Sequence, residues 1–253
     1  MLPLEIEETI LDLLADEDDK GHSALKTCSL VCQAFLPICR KHIFGSIVLN
    51  DYYVRSAPTT DQFDRLLLES PEIADYIRKL DFNIRITELT RPSIQKSLKR
   101  ISRLEFLTIQ PQSLSFDWRN NPIRPALLHL LHLPTLTHFK LASLNGFIVS
   151  DLIPCINLKY LDIGFYTTMV VKNTLPPALL EHSIQTNEFV AGVGTSGTIM
   201  KLCRARRPDG QSIIDFESLS KITVAIENTK EGEASQELFR RCRVLTNVHI
   251  FCK

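Results

Sequence analysis

Leu104-Glu105-Phe106-Leu107-Thr108-Ile109 is a six-residue unit with leucine-like residues at its first, fourth and sixth positions. The same unit returns as Ile77-Arg78-Lys79-Leu80-Asp81-Phe82, Leu136-Thr137-His138-Phe139-Lys140-Leu141 and Leu158-Lys159-Tyr160-Leu161-Asp162-Ile163. Two later copies are Leu219-Ser220-Lys221-Ile222-Thr223-Val224 and Leu245-Thr246-Asn247-Val248-His249-Ile250, and a degraded one is expected at Leu179-Leu180-Glu181-His182-Ser183-Ile184. Each copy ends in period-two alternation, the pattern of a short strand with one buried face. Residues 93–101, 126–131, 198–205 and 235–241 lie between copies and have helical composition.

Strand, turn and helix returning every 20 to 40 residues or so is the pattern of a leucine-rich-repeat solenoid. The expected fold class is therefore α/β, with parallel strands and helices on the convex side. The copies are unevenly spaced and largely lack the usual turn asparagine, so irregular repeats are expected over residues 71–253. Residues 49–70 then form a linker or the first helix of the repeat region. The strand residues Lys79, Asp81, Glu105, Thr108, His138, Lys140, Asp162, Thr223 and His249 are expected to line the concave face.

Composition sets the outer limits. The chain has 253 residues, 29 basic against 29 acidic side chains, and 44% hydrophobic residues. That is long and apolar enough to bury a real core and too apolar for a disordered chain. Zero formal charge argues against a dedicated nucleic-acid or anionic-membrane binder. No apolar run approaches the roughly 18 residues of a membrane span. The acidic start, seven irregularly spaced cysteines and no Asn-x-Ser/Thr sequon point to an intracellular protein with reduced thiols.

Residues 1–48 differ in kind from the rest. Leu2-Pro3 sets up an opening turn, and Ile6, Ile10, Leu13 and Leu14 share one stripe of a first helix. Residues 15–23 are a charged connector in which Gly21 breaks the helix and Ser23 caps the next. Leu25, Cys28, Val31, Cys32 and Phe35 form a second stripe, Pro37 interrupts it, and residues 38–44 form a third element. So small a helical unit cannot cover all its own apolar surface.

The blocks Leu2-Pro3-Leu4-Glu5-Ile6 and Ser29-Leu30-Val31-Cys32-Gln33-Ala34-Phe35 resemble an F-box, and Arg40-Lys41-His42-Ile43-Phe44 is similar to the motif's end in mushroom-forming fungi. Phe35 stands where the family usually has tryptophan. The resemblance implies a non-enzymatic role as substrate receptor of a Skp–cullin–F-box ubiquitin ligase. Its implied partners are a Skp-type adaptor, through it a cullin, and a target protein held by the repeats. Position by position, the adaptor-facing residues implied are Leu2, Pro3, Ile6, Ile10, Leu25, Val31, Cys32 and Phe35. No cofactor, metal, nucleic acid or membrane partner is expected.

One motif points elsewhere. Gly192-Val193-Gly194-Thr195-Ser196-Gly197 is a literal G-x-G-x-x-G between a short strand-like stretch and a helix-like one, with Asp215 about 20 residues on. In a dinucleotide-binding fold such glycines admit a pyrophosphate to a helix N-terminus. The preceding strand is short and no long buried parallel strand follows, so a glycine turn between repeats is the expectation and a nucleotide-binding enzyme the alternative. A repeat scaffold that no longer docks an adaptor is a third reading. Cys28, Cys32, Cys39 and His42 lack the knuckle spacing of a zinc site, and His129 and His132 lack a third ligand. Three basic clusters, around Lys96, Lys201 and Arg240, read as solvated helix faces.

Overall fold

The structure is a computed structural model describing residues 4–15, 19–49, 58–85, 91–112, 116–171, 183–207 and 209–252. Leu2 and Pro3 lie outside the described residues. Three helices open the chain, α1 (Leu4–Ala15), α2 (Asp19–Cys28) and α3 (Phe35–Gly45). Leu11, Leu25, Ile38 and Cys39 are buried between them, with Leu14, Phe35 and Ile43 packed alongside.

Three boundaries differ from the sequence reading. The second helix starts at Asp19 and runs through Gly21, which is buried, and Ser23, which therefore caps nothing. It stops at Cys28, where the amides of Leu30 and Val31 bond to the carbonyls of Thr27 and Cys28 at 3.0 Å each. Val31 and Cys32 thus sit in a turn rather than on a helix. Pro37 interrupts nothing, because it falls in the first turn of α3, where a backbone N–H has no helical acceptor.

The helical unit runs directly into a parallel sheet. Its strands are β1 (Ser46–Leu49), β2 (Lys79–Ile84), β3 (Phe106–Pro111), β4 (His138–Leu141), β6 (Tyr160–Ile163), β8 (Glu188–Ala191), β9 (Lys221–Ile226) and β10 (Asn247–Cys252), hydrogen-bonded in that order. Two short strands, β5 (Phe147–Ile148) and β7 (Met169–Val170), pair separately. Every pair in the main sheet is parallel, and the register is uniform. Ile47, Leu80, Leu107, Phe139, Leu161, Phe189, Ile222 and Val248 stand side by side across it.

That row shows two units which the leucine pattern misses. Phe44-Gly45-Ser46-Ile47-Val48-Leu49 is one, so a boundary at residue 48 would cut a strand. Thr186-Asn187-Glu188-Phe189-Val190-Ala191 is the other, with threonine and alanine at leucine positions. It takes the place of the degraded copy expected at 179–184, of which residues 179–182 lie outside the described residues. With these two in place, the wide gap after residue 158 resolves into ordinary spacing.

Helices cover one face of the sheet. They are α4 (Thr60–Glu69), α5 (Pro92–Leu98), α6 (Arg124–Leu131), α7 (Ser196–Arg204) and α8 (Thr229–Phe239). Phe63, Leu67, Ile94, Leu98, Leu127, Leu130, Ile199, Leu202 and Leu238 from them join the sheet's buried row in one continuous core. The first of these helices is fixed by a capping box, in which the Thr59 hydroxyl accepts from Gln62 N–H and Gln62 Oε1 accepts from Thr59 N–H at 2.9 Å. The fold is α/β with a parallel sheet. Among the described residues, no helix is long and apolar enough to cross a membrane.

Candidate functional site

Two surfaces among the described residues bear on the sequence reading. The first lies on the helical unit. Ile6 and Ile10 are each 46% exposed and Leu13 is 64% exposed, at 4- and 3-residue spacing on one face of α1. The turn after α2 adds Leu30 at 87% and Val31 at 68%, with Cys32 exposed beside them. Of the stripe read from the sequence, Ile6, Ile10 and Leu13 therefore face outward, while the fourth member, Leu14, turns inward and packs beside the buried Leu11.

The implied adaptor-facing residues accordingly divide. Ile6, Ile10, Val31 and Cys32 are on the surface. Leu25 is fully buried and Phe35 half-buried, and the structure brings these two together inside the small core rather than presenting Leu25 outward. Leu25 is corrected on this ground: it is the one large residue of α2 inside the bundle, which would collapse if it turned out. Leu13 and Leu30 are exposed residues that the implied adaptor-facing set does not include. The exposure of Leu13 follows from the helix phase once Leu11 is recognised as the inward residue.

The second surface is the open face of the sheet. The first inward-to-outward alternation of each strand places Lys79, Phe106, His138 and Tyr160 in one row. The rings stack edge-up along the sheet, with Phe106 and His138 centroids 4.1 Å apart and His138 and Tyr160 centroids 5.5 Å apart. In the next row Lys140 meets Asp162 at 3.1 Å, and Lys79 of the first row reaches Asp81 of the second at 3.3 Å. Lys79, Asp81, Lys140 and the three rings, together with Asn83 and Gln110, line a trough of about 780 Å³.

Most residues expected on that face are there, but Glu105 precedes β3 and pairs with Arg78 at 3.6 Å. The aromatic row was missed because Phe106 and Tyr160 occupy a variable position of the unit. Burial, and secondarily Asp162 and Glu188, push the Tyr160 phenol up to about 12. Burial also lowers the His138 imidazole below its ordinary 6.5, helped by Lys159 and opposed by Glu188 and Glu105. Its Nδ1 lies 2.8 Å from the Thr137 hydroxyl. The neutral ring is the stable one here.

An imidazole lowered on folding contributes stability above its unfolded value, and that stability is lost as pH falls through the folded value. Below about pH 6.5 the melting temperature of the wild type is therefore expected to decline more steeply than that of His138→Phe. Parallel melting curves from pH 8 to pH 5 check this, and superimposable slopes contradict it.

The glycine motif is engaged within the chain. Gly194 N–H donates to Glu231 Oε1 at 2.5 Å, and Glu227 N–H donates to Glu231 Oε2 at 2.7 Å. Glu231 is buried and occupies the anion position of the loop. The glycines answer to packing. Gly194 has φ of +75°, and a Cβ on Gly192 would lie 2.9 Å from the Phe165 backbone nitrogen. Asp215 caps a short turn by accepting from Glu217 N–H at 3.0 Å. Addition of NAD(H), ATP or S-adenosylmethionine is expected to leave the melting temperature unchanged within about 1 °C, since a bound ligand would raise it; a dose-dependent rise would restore the nucleotide reading.

The remaining polar clusters are spent internally. His42 bonds Asp12 at 2.7 Å, His129 the Ile101 carbonyl at 3.1 Å, and His132 the Asp151 carbonyl at 2.9 Å. Burial raises the Cys39 thiol, and the nearby Cys28 and Cys32 add to it. Among the described residues, no group of three His, Cys, Asp or Glu side chains is arranged around a metal position. Of the basic clusters, Lys201 bonds the Met169 carbonyl at 2.7 Å, Arg241 bonds Glu237 at 2.6 Å, and Arg243 bonds Glu217 at 3.0 Å.

No protein-family model matches the chain, and no curated protein matches its sequence.

Proposed function

We propose that this protein is the substrate receptor of a Skp–cullin–F-box ubiquitin ligase, built from an F-box-like helical unit and an irregular leucine-rich-repeat solenoid. The observation that carries the reading is the exposed apolar set Ile6, Ile10, Leu13, Leu30 and Val31 on a unit that already has its own internal core. Isolated exposed leucines need no explanation, but five on one 45-residue unit mark a surface that a partner covers. The F-box resemblance names that partner as a Skp-type adaptor.

The mechanism is proximity. The helices hold the chain on the ligase while the open sheet face, with its ring row and trough, holds the target. No bond is made or broken by this chain; its contribution is the effective concentration of target beside the transferring subunits. Co-expression of the full chain with a Skp-type adaptor tests the reading. A one-to-one complex surviving size exclusion supports it, and a folded chain that elutes apart from the adaptor rejects it in favour of a free repeat scaffold.

A further inference from the structure

The two edges of the main sheet are unlike. The amino-terminal edge strand β1 has four residues, and its inward side chains, Ile47 and Leu49, are buried. The other edge, β10, has six residues, and all six are exposed. Val248 and Ile250 lie in the row of Ile222 and Val224, which are fully buried one strand away, yet each is about half exposed. Phe251 and Val244 add further exposed apolar surface.

Solitary edges are normally blunted by charge, proline, a bulge or shortness. Asn247-Val248-His249-Ile250-Phe251-Cys252 has no Asp, Glu, Lys, Arg, Pro or Gly, and its register with β9 is unbroken. Asn247 N–H donates to the Ser220 carbonyl at 3.0 Å. In a parallel ladder the backbone groups of alternate residues turn the same way, so 247, 249 and 251 face β9. The N–H and C=O of Val248, Ile250 and Cys252 face outward.

We infer that this edge pairs with the same edge of a second copy, antiparallel, about a two-fold axis at Ile250. That register sets Ile250 against its counterpart, Val248 against Cys252, and His249 against Phe251. All three outward residues then form hydrogen-bonded pairs, and apolar side chains meet apolar side chains on the inward face. The strand is uncharged, so self-pairing meets no like-charge repulsion. Of the arginines that precede it, Arg241 pairs with Glu237 at 2.6 Å and Arg243 with Glu217 at 3.0 Å, and Arg240 shares Glu237 at 3.8 Å. Pairing of one edge with itself closes at two copies, whereas pairing with the other edge of the sheet would grow without end.

The three exposed apolar residues of the strand, Val248, Ile250 and Phe251, offer on the order of 300 Å² per chain, so with the strand backbone the pair falls in the range of weak, transient interfaces, below roughly 1,200 Å². A reversible dimer of micromolar affinity is the expected strength.

Sedimentation velocity of the full chain from about 1 to about 100 μM reads this directly. The wild type is expected to shift from monomer to dimer across that range, and Ile250→Lys to remain monomeric throughout, a loss of at least tenfold. The register is tested separately with Val248→Cys in a Cys32→Ser background under oxidised glutathione. Paired Cα atoms about 5.5 Å apart suit a disulfide, so the introduced thiol should join the second copy's Cys252 as glutathione is reduced. A wild type that stays monomeric at the highest concentration, a dimer indifferent to Ile250→Lys, or no cross-link through Cys252 overturns the inference.

Discussion

Ile6→Asp combined with Val31→Asp is expected to weaken adaptor binding at least about a hundredfold while leaving the melting temperature within about 2 °C of wild type. Both side chains lie outside the small core, at 46% and 68% exposure, so a carboxylate at either position remains in water in the free chain. In a complex it would be taken out of water against an apolar partner. Losing one buried aliphatic contact costs about 1.5–3 kcal/mol, and burying an unpaired charge costs more. Two such changes exceed the roughly 2.7 kcal/mol of a hundredfold loss. Leu25→Asp makes the necessary contrast. Leu25 sits with Leu11, Ile38 and Cys39 in a core of four buried residues that cannot absorb a charge. It should unfold the helical unit by about 4 kcal/mol or more, and any loss of binding would then come with loss of helix signal. Calorimetric titration beside circular dichroism separates the two. Wild-type affinity in the double variant would refute the surface assignment.

Glu231→Ala is the second large effect, and it concerns stability alone. The carboxylate accepts from Gly194 N–H and Glu227 N–H, and the Glu231 N–H donates to the N-cap of α8, Asn228 Oδ1, at 3.1 Å. It thereby ties the turn after β8 to the start of α8. Truncation removes the acceptor of two amides in a buried place, which costs about 1–3 kcal/mol for each unless water enters. A net loss of about 2–4 kcal/mol is expected, or about 5–10 °C in melting temperature for a chain of this size. Glu231→Gln keeps the volume and one acceptor oxygen, so about half the loss is expected. Denaturant unfolding of the three proteins measures the series. Equal stability for Ala and wild type would mean that the loop is held by something other than this carboxylate.

The parallel strands are the most legible part of the sequence, for a physical reason. A parallel strand buried on one face needs a large apolar residue at every second position, and the turn before it needs another three residues ahead. Six units satisfy this with Leu, Ile, Val or Phe and were visible. The unit at 186–191 fills the same buried places with Thr186 and Ala191, a polar and a small residue, so hydropathy alone passes over it. The unit at 44–49 was hidden because Phe44 also closes the helical segment. Within the helical unit, apolar spacing located a stripe on α1 but not the side it faces. An amphipathic stripe is the same pattern whether it covers the chain's own core or a partner, and only the burial of Leu11, with Leu14 packed beside it, reveals the phase. The ring row of Phe106, His138 and Tyr160 was illegible for another reason: it exists only through register between strands that are far apart in sequence.

Hydrogen–deuterium exchange of the full chain, with and without the Skp-type adaptor, tests the central claim most directly. The account predicts slowed exchange over residues 4–15 and 28–36 on complex formation, with residues 79–84, 106–111 and 138–141 of the open sheet face unchanged. Protection confined to the sheet, or no protection anywhere at saturating adaptor, would contradict it.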